Sequence, residues 1–275
     1  MSTINCKGTL IDLSTPKVMG IVNVTPDSFF DGGKLTNSDE IVGQVEKMLQ
    51  DGATFIDLGG YSSKPGAEFV SETEELNRVV PIVKLLVEKF PDILLSIDTF
   101  RSEVAKQTVE NGAAIINDIS AGLLDEKMLE TVAKLQVPYI MMHMKGTPKT
   151  MQSLANYDDL LKEMNFYFSE RIAKARNFGL NDIIIDPGFG FAKTLEHNYE
   201  LLHNLELLQF HELPILAGIS RKSMIYKTLE TSPEDALNGT TFLHAFCLQK
   251  GSNILRVHDV KEALECVKLM CRLGN

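Results

Sequence analysis

The sequence predicts an α/β protein, a (β/α)8 TIM barrel with a short N-terminal hairpin closing the barrel floor. Three observations carry this expectation. Eight short, near-continuously apolar runs recur along the chain, as strands buried on both faces require. Amphipathic, helix-like segments separate them. Eight strand-helix units match the arithmetic of a barrel of about 250 residues. An open doubly wound sheet is the competing arrangement, but no GxGxxG follows the first apolar run.

Taken in order, "INCKGTLIDL" (4–13) reads as the hairpin. The strands are expected at 18–22, 55–59, 94–98, 114–118, 139–143, 183–186, 214–218 and 254–258. The first helix, 38–51, places Ile41, Val45, Met48 and Leu49 on one face. The second, 72–89, starts acidic and ends with Lys89, the sense that the helix dipole favours. Helical patterns continue at 101–110, 126–135, 157–178, 199–208, 236–249 and 261–273. Gly52, Gly112, Gly179 and Gly251 follow expected helix ends, where a left-handed residue is wanted. With no linker, low-complexity segment or internal repeat, residues 1–275 read as a single domain.

The totals narrow the function classes. The chain has 275 residues, 44% of them apolar, enough for a large core. A formal net charge of -10 disfavours a nucleic-acid partner, so an anionic substrate must be met by local cations. The N-terminus "MSTINCKGTL" lacks a signal pattern, and no run approaches the ~18 apolar residues that span a membrane. Cys6, Cys247, Cys266 and Cys271 have no metal-site spacing and read as reduced thiols. A cytoplasmic location is expected.

Polar residues fall at the C-terminal ends of the expected strands: Asn23, Asp57, Asp98, Asn117 with Asp118, His143, and Asp186. The seventh strand leads into Ser220, Arg221 and Lys222, and the eighth carries Arg256 and His258. In a barrel these ends converge on one mouth, where active sites are built. An isolated Asp there is most simply a helix cap, the reading favoured for Asp118 and Asp259. Caps do not account for Asn, Lys, Arg and His together. Asp98, Asn117 and Asp186 suit a flat heterocycle with N–H edges, whereas Lys222, Arg256 and His258 suit an anion such as phosphate. Arg256 and His258 stand two apart on one strand and so face the same way.

Seven segments in chain order, "GIVNVTPDSFFDGG", "IDLGGYSSKPGA", "SIDTFRSEVA", "IINDIS", "IIIDPGFGFAKT", "GISRKS" and "LRVHDV", resemble the dihydropteroate synthase family of folate biosynthesis. The resemblance runs from Gly20 to the last strand. It implies a (β/α)8 barrel, usually a homodimer, that uses Mg2+. It also implies that 6-hydroxymethyl-7,8-dihydropterin diphosphate and 4-aminobenzoate condense to 7,8-dihydropteroate and diphosphate.

By the same resemblance, Asp186 accepts from the pterin 2-amino group and ring N–H. Asn117 and Asp98 meet other ring edges, Lys222 reaches the pterin carbonyl and ring nitrogen, and Arg256 lies along the ring. Met142 belongs to the pterin bed or simply to the core. Gly188 and Gly190 let backbone approach the ligand or make an ordinary tight turn. Asn23, Arg256 and His258 hold the diphosphate, with Asn23 also touching Mg2+. The chemistry the resemblance implies is dissociative: diphosphate leaves first, stabilised by Arg256, His258 and Mg2+, and the arylamine then attacks. Asp98 and Asp31 supply carboxylates near the forming cation, although Asp31 reads equally as a turn residue. Lys222, Arg256, His258, Asp98 and Asp31 are thus the expected catalytic set.

For 4-aminobenzoate, Phe29 in a lid closing over the site makes one wall, and Ser63 and Pro65 the facing one. One of Lys222 and Ser223 meets the benzoate carboxylate. The alternative for Phe29 and Phe30 is packing on the barrel rim. Two departures from the family pattern fall here. Ser63-Lys64-Pro65 stands where Thr-Arg-Pro is frequent, and Phe30 where Ser is frequent. Lys for Arg loses a planar two-pronged donor, so both departures bear on sulfonamide affinity. The rivals are a methyltetrahydrofolate methyltransferase-type barrel and a non-catalytic pterin or phosphate sensor. The first needs no diphosphate clamp, against which "SRKS" and "RVHDV" stand.

Overall fold

The computed structural model describes residues 3–24, 34–61 and 70–274, apart from the side chains of 34–37 and 152. Asp31, Phe29, Phe30, Ser63, Lys64 and Pro65 lie outside the described residues. The chain opens with the antiparallel pair β1 (Thr3–Cys6) and β2 (Thr9–Asp12). Then follow β3 (Lys17–Asn23), β4 (Phe55–Gly59), β5 (Leu95–Asp98), β6 (Ile115–Asp118), β7 (Tyr139–Met142), β8 (Ile183–Asp186), β9 (Leu216–Ala217) and β10 (Ile254–Val257). The α-helices are α1 (Lys34–Gln50), α2 (Glu72–Lys89), α3 (Ser102–Glu110), α4 (Met128–Leu135), α5 (Leu160–Asn177), α6 (Leu195–His203), α7 (Ser223–Thr228), α8 (Leu237–Gln249) and α9 (Val260–Arg272).

The strands from β3 onward pair in parallel in the order β8-β7-β6-β5-β4-β3-β10-β9. A parallel bridge between Ile185 and Ile215 joins the two ends of that order. The sheet is therefore closed, which removes unpaired edges. This is the (β/α)8 barrel that the sequence predicts.

Strand alternation sorts the side chains. Val22, Leu58, Ile97, Met141, Ile185 and Val257 pack outward into the layer shared with the helices. Met19, Phe55, Ile115, Ile140, Ile184 and Ile254 form a separate interior cluster near the strand N-termini. Gly20 belongs to the outward set: a Cβ there would lie 2.7 Å from Met48 Sδ and 3.2 Å from Val260 Cγ2. Its missing side chain lets α1 and α9 approach the sheet.

The hairpin closes the floor as expected. Lys7 and Gly8 both have positive φ, 53° and 85°, matching a two-residue turn that follows the strand twist. Ile4, Cys6 and Leu13 are buried in the interior cluster, and the Asn5 amide donates to Asp182 Oδ2 at 3.0 Å, just before β8.

Boundaries differ locally. The helix expected at 199–208 is α6, capped reciprocally by Thr194 and His197, followed by a 3-10 turn at Leu205–His211. His in place of Glu or Gln hides that capping pattern. The short α7 was not expected, since six residues are too few to display a helical period. The four glycines expected past helix ends have φ between 90° and 105°.

Truncating the floor should destabilise the barrel without touching the opposite mouth. Ile4→Ala, at a side chain 1% exposed, is expected to cost about 2–4 kcal/mol in denaturant unfolding. Ligand affinity measured under folded conditions should be unchanged.

Candidate active site

Alternation also decides which strand-end polar groups reach the mouth. Asp57, Asp98, Asn117, Met142, Asp186 and Arg256 keep the same parity as the interior cluster and lie at its C-terminal end. Two glycines keep space beside them. A Cβ at Gly59 would stand 3.5 Å from Asp98 Cβ, and one at Gly218 would stand 4.0 Å from Asp186 Oδ2.

Arg256 is the centre of the polar layer. Its Nε donates to Asp57 Oδ2 at 2.6 Å, and its terminal nitrogen donates to Asp98 Oδ2 at 3.0 Å. Asn117 Nδ2 donates to the same Asp57 oxygen at 3.1 Å. Asp57 is fully buried, and among the described residues its Oδ1 has no hydrogen-bond partner. Burial works to lower the Arg256 pKa, but Asp57 and Asp98 outweigh it and raise it, so the guanidinium stays charged. Burial pushes Asp98 up to about 7, against Arg256 and with Asp57 adding.

A second acid–base pair faces this one. Asp186, 6% exposed, accepts from the Gly188 amide at 2.7 Å. Burial raises its pKa; Lys222, the Gly188 hydrogen bond and Arg256 oppose the rise. Lys222 Nζ donates to the Phe189 carbonyl and sits 4.8 Å from the centre of the Phe191 ring. Burial lowers Lys222 to about 8, with Asp186 opposing and Arg256 reinforcing. Asp186 and Arg256 thus share one mouth, near enough for each to act on the other's charge.

Gly188 has φ +70°, and a Cβ there would fall 2.3 Å from the His143 carbonyl oxygen, so the turn requires glycine. At Gly190 a Cβ would come 3.4 Å from Lys222 Cδ. Met142 is buried with Ile119, Met144 and Ala192, with Phe191 packed against them. This apolar cluster adjoins Asp186, Met142's partner in the β7–β8 register.

Toward the rim, His258 Nδ1 lies 3.0 Å from Ser220 Oγ, which also accepts from the His258 amide. Asn23 ends β3, the strand paired with β10, and is exposed. Ser223 opens α7 directly after Lys222.

Several strand-end residues go elsewhere. Asp118 follows Asn117, so only one of them can face inward. Asp118 instead accepts from Tyr139 Oη at 2.6 Å and from the amides of Ser120 and Gly122. It organises a loop and caps no helix. Asp259 likewise makes no side-chain cap to α9; it pairs two-pronged with Arg221 at 2.8 and 2.9 Å. Arg221 is thereby committed to structure, donating also to the Pro233 and Glu234 carbonyls. His143 packs edge-on to Tyr167 of α5 at 4.8 Å between ring centres, outside the barrel interior. Asp57, like His143, is expected at a strand end with no role given to it, yet unlike His143 it enters the site. Its parity with Gly59 on β4 is the signal that marks it as inward.

A closed parallel barrel with convergent acids and cations at the C-terminal ends of its strands is the layout of a barrel enzyme. Residues 19–258 match the family described as pterin binding enzyme, and the chain belongs to that family. It is 44% identical over 266 residues to the dihydropteroate synthase of Escherichia coli (strain K12), covering 96% of this chain and 94% of that one. A crystal structure of the Yersinia pestis dihydropteroate synthase with a sulfonamide drug superposes with a TM-score of 0.92 at 44% identity, covering 98% of both chains. The Xanthomonas albilineans dihydropteroate synthase with 4-aminobenzoic acid gives 0.90 at 39% identity, covering 98% of this chain and 97% of that one.

Asp57→Ala should leave the buried guanidinium short of a partner. A loss of about 3–5 kcal/mol is expected in chemical unfolding. Asp57→Asn, which keeps an oxygen acceptor, should lose less.

Proposed function

We propose that this chain catalyses dihydropteroate synthesis. It is a transferase that joins the methylene carbon of 6-hydroxymethyl-7,8-dihydropterin diphosphate to the amine of 4-aminobenzoate. The observation that carries this reading is the meeting of Asp186–Lys222 and Asp98–Arg256 at one mouth. The near full-length likeness to dihydropteroate synthases supports it.

Asp186 accepts from the pterin 2-amino group and ring N–H, leaving Lys222 to donate to the carbonyl and ring nitrogen. Asn117 and Asp98 take the remaining ring edges, with Met142 beneath and Gly188 allowing backbone close to the ligand. Arg256 runs along the ring and reaches the leaving group, and His258 and Asn23 hold the diphosphate at the rim. The bond between methylene carbon and diphosphate oxygen breaks with its electron pair going to diphosphate. The arylamine lone pair then forms the carbon–nitrogen bond, and the amine loses a proton. The step needs no protein nucleophile. It needs fixed positive charge at the departing group and carboxylate near the forming cation, roles that Arg256 with His258 and Asp98 with Asp31 fill. Phe29, Ser63, Pro65, Lys222 and Ser223 are assigned to 4-aminobenzoate.

Among the described residues no group of three or more His, Cys, Asp or Glu gathers to hold a metal ion. Mg2+ keeps most of its water and binds chiefly through substrate phosphates and one or two protein oxygens. Asn23, an exposed amide at the mouth, would supply such an oxygen. When bound, Mg2+ neutralises diphosphate charge.

The Yersinia pestis relative was crystallised with a sulfonamide drug, and sulfonamides are assigned here as competitors of 4-aminobenzoate. A homodimer is assigned to the α8–α9 face, where Phe242, Leu269 and Leu273 are 70%, 67% and 76% exposed beside Phe246 and Met270. Among the described residues no helix is long and apolar enough to cross a membrane, and all four cysteines are free. A cytoplasmic location is assigned to the enzyme.

The purified protein with pterin diphosphate, 4-aminobenzoate and Mg2+ should form dihydropteroate; binding of the pterin without turnover would refute the reading. Arg256→Ala and Lys222→Ala should each lower turnover by about 100-fold or more while the fold persists. Lys222 must be protonated and Asp98 ionised. The pH profile of kcat/KM for pterin diphosphate should therefore fall as pH rises through about 8 and as it drops below about 7. Phe242→Asp should give a monomer in sedimentation analysis.

A further inference from the structure

Lys193, in "DPGFGFAKT", is not used by the proposed reaction, yet it is 4% exposed beneath the segment that carries Asp186. Its ammonium group meets three acceptor positions: the Gly188 carbonyl at 3.0 Å, the Phe191 carbonyl at 3.1 Å and His143 Nδ1 at 3.1 Å. Three N–H bonds and three partners leave nothing over. His143 is itself tied to the site strand, since its amide donates to the Asp186 carbonyl at 2.9 Å. The segment so fixed sets both pterin-facing charges. Gly188 N–H orients Asp186 Oδ1, the Phe189 carbonyl receives Lys222, and the Phe191 ring flanks the Lys222 ammonium.

A cation is a costly filler for a buried space, and apolar side chains of similar volume are often equal or better for stability. Burial drives Lys193 down to about 7, with Asp186 opposing. What a methylene chain alone does not supply is satisfaction of two turn carbonyls at once, in a turn whose Gly188 and Gly190 both have positive φ. We propose that Lys193 is a positioning residue for pterin recognition, holding the 188–191 turn so that Asp186 and Lys222 keep their mutual geometry. The inference rests on the assignment of Asp186 and Lys222 to the pterin. The tie persists in either charge state. A neutral amine donates to the two carbonyls and accepts from His143 Nδ1–H, whereas the ammonium donates to all three.

The test compares wild type, Lys193→Met and Lys193→Gln in equilibrium titration with pterin diphosphate, well below the melting temperature of each, and in steady-state kinetics. Lys193→Met should weaken pterin binding about tenfold or more, and the KM for pterin diphosphate should rise by more than kcat falls. Lys193→Gln, which keeps two N–H donors, should lie between it and wild type. It carries the test if the Met variant does not fold. A purely stabilising lysine would lower the melting temperature and leave pterin affinity within about twofold of wild type; that result overturns the proposal. Wild-type protein that binds no pterin would instead overturn the functional reading itself, and the inference with it.

Discussion

The site depends on a guanidinium held inside a barrel. Arg256 interrupts the apolar strand β10, and its charge is tolerable there because Asp57 on β4 and Asp98 on β5 reach it across the barrel interior. An unpaired cation in that position would carry a desolvation cost of several kcal/mol. The pairing in turn fixes the acids: Asp57 cannot turn away without leaving the guanidinium to Asp98 alone, and Asn117 donates to the same Asp57 oxygen. Burial pushes Asp98 up toward neutrality, against the pull of Arg256 and with the neighbouring Asp57 charge adding to the rise. Any anion that reached Arg256 would compete with those acids for the same charge.

Much of this was legible in the sequence because a parallel barrel imposes two simple rules: buried strands are continuously apolar, and their C-terminal ends share one rim. Asp98, Asn117, Asp186, Lys222 and Arg256 followed from those rules together with the family resemblance. The rules left parity unresolved. Asn117 and Asp118 are adjacent and equally polar, and only the pleat decides that one enters the barrel while the other ties a loop. His143 lies one residue beyond Met142 and so points to α5. Applying parity from Phe55 through Asp57 to Gly59 would have marked Asp57 as inward. The Arg221–Asp259 pair was illegible for a different reason: it joins residues 38 apart through a left-handed Arg221, φ 53°, and no local pattern encodes such a contact.

Helix boundaries show the same division. Long amphipathic segments were readable, whereas α7 and the 3-10 turn at Leu205–His211 are too short for a period to emerge. Thr194 with His197 makes a reciprocal cap of uncommon composition, so the start of α6 was set four residues late.

The residues assigned to the two substrates rest on different parts of the chain. Asp98, Asn117 and Asp186 belong to strands, and Lys222 is anchored through Phe189 to the turn after β8. Their positions are set by the sheet register and by the turn beneath which Lys193 lies, and a substitution there disturbs packing as well as chemistry. The residues assigned to 4-aminobenzoate fall mostly in the segments between β3 and α1 and between β4 and α2. Phe29, Ser63 and Pro65 lie outside the described residues. Phe30 and Lys64, the two departures from the family pattern, both lie there. The residues assigned to the pterin are thus held by strands and by the turn after β8, whereas three of the five assigned to 4-aminobenzoate belong to connections between strand and helix, the part of a barrel that varies most freely.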